Sequence, residues 1–156
     1  MPVAARSRLD ANERVLAWAV TAEDDAVVAT PQGLWLPGVE RIPWHLVTHV
    51  TWSGTTLAVT AAEEVAPGVL QNLPPVSVRL PEPGIVPETV QQRFYGSRRF
   101  SARHRLSGGD GVIIVARRVP GVDGLAWYAV YDDPAKREDP VAVAEVERLL
   151  AEAQEL

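Results

Sequence analysis

The sequence predicts an α+β protein: an antiparallel, β-rich barrel or bent sheet with a short internal helix and a C-terminal amphipathic helix. Three observations predict it. Short runs of apolar and β-branched residues recur through most of the chain, each bounded by Pro, Gly or acidic residues. Helical spacing of apolar residues is confined to a short stretch near Val90 and a longer one from Val143 to the end. The length of 156 residues, without internal repeats, fits one domain with its own core.

The elements follow in order. Residues 15–20 (VLAWAV) form a short apolar run suited to a buried strand, and residues 21–25 an acidic turn. Residues 26–30 and 34–36 read as strands around the Pro31-Gln32-Gly33 turn. Residues 41–52 (RIPWHLVTHVTW) are β-branched and aromatic, with Pro43 placing their start at an edge or bend because proline cannot donate to a ladder. After the Ser53-Gly54 turn, residues 55–60 are another strand, and residues 61–75, with two Glu and three Pro, read as an exposed loop. Residues 76–80 (VSVRL) alternate as a half-buried strand does. Three prolines and Gly84 make 81–87 a stiff connector, followed by a helix over 88–95 with Val90 and Phe94 on one face. Residues 98–106, 111–119 and 125–131 are three strands joined by Gly-rich hairpin loops. Asp139-Pro140 starts the last helix, with Asp as N-cap, and Val143, Val146, Leu149, Leu150 and Ala153 form its apolar face.

Composition excludes several kinds of chemistry. Cysteine is absent, which removes disulfides, thiolate nucleophiles and cysteine-held metals. The net charge of −5 disfavours nucleic acid and leaves a membrane at most a peripheral partner. No apolar run approaches the roughly 20 residues of a membrane helix, and Arg6 and Arg8 are followed by no signal-like stretch. These features predict a cytoplasmic location. One segment departs from the acidic average. Residues 91–118 hold seven arginines against Asp110, a net of +6.

The stretch VVATPQGLWLPGVERIPWHLVTHVTW resembles the strand–turn–strand pattern of bacterial pleckstrin-homology-like (PH-like) and GRAM-like domains, through Thr30, Leu34, Ile42, Pro43 and Val47. RRFSARHRL, GVIIVARRVPG and LAWYAVYDD are similar to segments of uncharacterised actinobacterial proteins. The resemblance covers roughly a third of the chain. It implies a PH-like binding or scaffolding fold. Members that bind inositol phosphates carry bases in the first hairpin loop, where this chain has Glu23, Asp24 and Asp25. The resemblance therefore does not extend to phosphoinositide binding by that route.

Catalytic constellations are missing from the sequence. His45 and His49 have the spacing of a helical metal pair, but Leu46 replaces the glutamate of that signature. On a strand, residues four apart lie about 13 Å from each other, so no metal is assigned. The Ser107–Gly111 run lacks the Gly-Lys-Ser/Thr of a phosphate loop, and Ser53 and Ser97 lack a G-x-S-x-G context. No catalytic residue and no cofactor is implied.

The candidate binding surface is the arginine row. On a strand over 98–106, Arg99, Arg103 and Arg105 share one face, while Phe100, Ala102, His104 and Leu106 turn to the core; Arg117 or Arg118 extends the row. Guanidinium groups suit carboxylate or phosphate. The bland alternative is pairing with the protein's own acids, foremost Glu145, Glu147, Glu152 and Glu155 of the last helix. Trp35 and Trp44 flank the Pro37-Gly38 turn and are candidate interface anchors if exposed, against the simpler alternative that all five tryptophans fill the barrel; Trp18 and Trp127 sit in apolar strands and read as core. The sum is a noncatalytic binding or adaptor domain, first of all for a protein partner or a second copy. An anionic small ligand or lipid headgroup on the arginines is the alternative, and an enzyme of unrecognised type the third reading.

Overall fold

The computed structural model describes residues 1–155. In chain order its first elements are α1 (Val3–Arg6), β1 (Ala17–Val20), β2 (Ala26–Thr30), β3 (Gly33–Trp35), β4 (Val47–Trp52), β5 (Thr56–Ala66), β6 (Val69–Asn72) and β7 (Val76–Arg79). Then come α2 (Val86–Ser97), β8 (Arg98–Arg105), β9 (Gly111–Arg118), β10 (Leu125–Tyr131) and α3 (Pro140–Gln154). The fold is α+β, β-rich, with an internal and a C-terminal helix. Every strand pair is antiparallel except β6 with β10. No helix among the described residues is long and apolar enough to cross a membrane.

The chain divides into two compact units, Met1–Ala61 with Leu73–Ser97, and Ala62–Asn72 with Arg98–Leu156. In the first, β1, β2 and β3 form a three-stranded sheet, and residues 56–61 of β5 are paired by β4 on one side and β7 on the other. Alternation directs Ala17, Ala19, Val27, Ala29 and Leu34 inward, where they meet Leu57, Val59, Val90 and Phe94. A smaller apolar cluster joins Ala5 of α1 to Ala26 and Val28.

Gly33 opens β3 because backbone passes close above it. A Cβ there would lie 2.4 Å from the Ile42 carbonyl oxygen, within the Leu34–Ile42 bridge. Gly33→Ala is expected to cost about 1–3 kcal/mol, because a backbone carbonyl has to move to admit the methyl. The urea midpoint measures it, and an unchanged midpoint contradicts the close approach.

The second unit is a sheet in the order β5, β6, β10, β9, β8. α3 packs on β9 and β10, burying Val112, Ile114, Ala129 and Tyr131 against Ala142, Val146 and Ala153. The Asp139 carboxylate caps α3 by accepting from the Val141 N–H at 3.0 Å, with Pro140 in the first turn.

Several sequence expectations need correction. Residues 61–72 are no loop: β5 runs on to Ala66, turns at Pro67-Gly68 and returns as β6, and only 73–75 are irregular. Backbone pairing is indifferent to the charge of outward side chains, so exposed Glu63 and Glu64 fit a strand that polarity alone disguised. Pro43 leads not into a strand but into a 3-10 turn over Trp44–Leu46, and β4 begins only at Val47. The internal helix starts earlier and ends later than 88–95, and residues 81–85 make the turn that enters it, inside the first unit. Trp18 is not core. It is 45% exposed, on the outer face of edge strand β1.

Candidate functional site

β8 carries the arginine row, and its position explains its composition. Among the described residues it is the last strand of its sheet and pairs only with β9. An edge strand presents unpaired backbone groups, and charged side chains are the common way to guard it. The side chains alternate: Arg99, Ser101, Arg103 and Arg105 are exposed, while Phe100, Ala102 and His104 are half-buried. Phe100 packs on Trp127 with ring centroids 5.5 Å apart. The register shifts between Arg98 and Phe100, so Arg99 is the extra residue of an edge bulge.

Backbone groups follow the same alternation. The Leu106 N–H donates to the Asp110 carbonyl at 2.7 Å, closing the hairpin toward β9. In an antiparallel pair, hydrogen-bonded and non-bonded positions alternate. His104, Ala102 and Phe100 therefore direct their amides to β9. Arg105, Arg103 and Ser101 direct theirs to the open edge.

The arginines are not neutralised by the last helix. Arg103 pairs with Asp132, which follows β10. Gly111 lies under that pair: a Cβ there would be 2.5 Å from Asp132 Oδ2 and 2.8 Å from Arg103 Nη2. Arg105 donates Nε–H to the Gly109 carbonyl at 3.3 Å. Arg99 and Arg118 are exposed and form no ion pair among the described residues. Two acids of α3 are engaged elsewhere. Glu145 accepts from the Ser107 N–H and hydroxyl, and those bonds hold its carboxyl below the usual range. Glu152 pairs with Arg148 at 3.1 Å. Lys136 reaches Asp110 at 3.7 Å and Asp139 at 3.9 Å. The expected pairing of the row with α3 is thus replaced by loop anchoring.

An open hollow of about 490 Å3 lies beside Arg103 and Arg105. Asp110 and Asp132 line it too, so a small anion entering there meets two carboxylates. His104 is at its wall; His45 follows Pro43 in the 3-10 turn, and His49 is in β4. Among the described residues no group of three His, Asp or Glu is placed to hold a metal ion.

Two of the candidate residues are not surface. Arg117 is 2% exposed and does not extend the row. β9 is covered on both faces, and its unbroken apolar run from Val112 to Ala116 is the mark of such a strand; Arg117 continues that run. Burial pulls its pKa down to about 10, Arg98 adding to the shift and Tyr128 opposing it. Trp44 is 2% exposed and donates its indole N–H to the Thr30 carbonyl at 2.7 Å, which makes it core rather than an anchor.

Trp35 is half-buried and already engaged. The Arg8 and Arg41 guanidinium carbons lie 5.1 and 5.6 Å from its ring centroid, and its indole N–H donates to Glu13 Oε2 at 3.1 Å. Sequence reasoning missed Glu13, whose side chain is fully buried. It also accepts from the Thr30 hydroxyl at 2.5 Å and the Asp10 N–H at 3.1 Å, and faces Arg41 at 3.0 Å. Burial alone raises its pKa, but these hydrogen bonds and Arg41 outweigh it and hold the carboxyl below its usual value.

No known protein family, no curated protein and no solved structure matches the chain.

Proposed function

We propose that this chain is a noncatalytic protein-interaction module that takes an extended acidic segment of a partner onto the open edge of β8. The observation that carries the reading is the coincidence on one strand of outward amides at Ser101, Arg103 and Arg105 with exposed arginines at 99, 103 and 105. Strand addition draws affinity from such amides and specificity from alternate side chains. Acidic residues at every second position of the incoming strand fall opposite the arginines, at the separation where cross-strand charge pairs form. A second copy of β8 would set arginine against arginine, which disfavours self-pairing through this edge. The PH-like resemblance belongs to the same proposal, as a β-rich scaffold closed by a helix; the parallel β6–β10 pair and the acidic turn of residues 21–25 are departures from it.

A synthetic peptide alternating Glu with Val is the direct probe, titrated against the full chain by calorimetry. Binding is expected to weaken steeply between low and physiological salt, because exposed charges are screened over about 8–10 Å. Arg99→Glu with Arg105→Glu is expected to weaken it about tenfold or more. The same peptide N-methylated at alternate residues keeps its charge and loses the ladder. Equal binding of the N-methylated peptide would move the assignment to a charge-only anion surface, and no binding of either removes the β8 reading.

A further inference from the structure

The second unit holds a groove remote in chemistry from the arginine strand, between the β5–β6 hairpin and α3. It encloses about 450 Å3, within the size range of small-molecule sites. Val69, Val143, Val146 and Leu150 give it apolar walls. Two donors line it as well. Tyr131, at the end of β10, is 9% exposed, and its hydroxyl makes no hydrogen bond to a described residue. The hydroxyl is therefore free to donate to a group that enters the groove from outside the chain. Burial, reinforced by the charge of Glu147, pushes the Tyr131 pKa above the usual tyrosine value, which keeps the hydroxyl a donor. Arg137 is half-buried, donates one N–H to Gln71 Oε1 at 2.8 Å, and has no ion pair among the described residues.

We propose that this groove binds a compact amphipathic monocarboxylate, its aliphatic body between Val69, Val143, Val146 and Leu150 and its carboxylate on Arg137 and the Tyr131 hydroxyl. Both polar groups donate, so the head group accepts. A guanidinium prefers a planar, two-oxygen acceptor. Glu138 and Glu147 also line the groove and repel negative charge, which excludes polyphosphates; a single carboxylate has to be held against them by Arg137. The site is independent of the β8 edge and stands or falls without it.

Octanoate titrated into the full chain, followed by backbone-amide and methyl chemical shifts, tests the site. Saturable shifts are expected at Val69, Val143 and Val146. Octanol, which lacks the charge, and acetate, which lacks the chain, are each expected to bind more weakly. Arg137→Gln is expected to weaken octanoate about tenfold, and Tyr131→Phe by about threefold to tenfold. Because the hydroxyl bonds to no described residue, Tyr131→Phe is expected to leave the unfolding midpoint unchanged or raise it, so a loss of binding there is not a loss of fold. Shifts that never saturate, that cluster on β8 instead, or that are equal in Arg137→Gln overturn the assignment.

Discussion

Glu13→Ala is expected to destabilise the protein by about 3–5 kcal/mol, because truncating one partner of a buried charged network strands the others. Thr30, Trp35, Asp10 and Arg41 all converge on that carboxylate, and it is fully buried. Stabilities of small domains are about 5–15 kcal/mol, so the variant approaches the threshold of unfolding. Glu13→Gln keeps the shape and much of the acceptor capacity and is expected to cost less. The two variants also differ from the parent in acid. The folded carboxyl titrates below its unfolded value of 4.5, so the unfolded chain takes up the proton first. Its stabilisation is complete above that value and is lost as pH falls through the lower folded pKa. Urea midpoints measured at a series of pH values should fall less steeply in acid for Glu13→Gln than for the parent. Identical acid limbs would remove Glu13 from the account.

Trp44→Ala is expected to cost about 3–5 kcal/mol as well, by a different route: a large apolar volume leaves the core and the cavity only partly collapses. Trp44 is packed in the cluster of the first unit and its indole N–H is bonded to Thr30. Trp44→Phe keeps most of the apolar body and drops the hydrogen bond, for about 1–2 kcal/mol. Chemical denaturation at unchanged m-value separates the two. A Trp44→Ala shift below about 1 kcal/mol is the size of a surface change and would return this residue to the surface.

What the sequence made legible is strongest where pattern and packing agree. The β8–β9–β10 strands, the α3 cap at Asp139 and the outward row of Arg99, Arg103 and Arg105 all follow from alternation, turn chemistry and capping. The misplaced side chains share a cause: burial set by distant chain. Arg117 carries the same charge as Arg118 next to it, yet one is buried and the other exposed, because β9 is covered on both faces. Trp44 is core rather than an anchor, and Trp18 is exposed rather than core, for the same reason. Glu13 resembles any surface acid until Thr30, Trp35 and Arg41 are brought around it from segments some 17 to 28 residues away. The Tyr131 hydroxyl and Arg137 become a pair of donors only when α3 folds back over the β5–β6 hairpin.

The parallel contact of β6 with β10 joins residues 69–70 to 129–130. Each unit is built from two stretches of chain that alternate along the sequence. During synthesis, then, the β5–β6 hairpin waits for its neighbour until some sixty later residues have left the ribosome, and closing so long a loop slows assembly. Limited proteolysis or genetic splitting at any single peptide bond cannot release both units whole, since a cut that spares one necessarily severs the other or strands part of it.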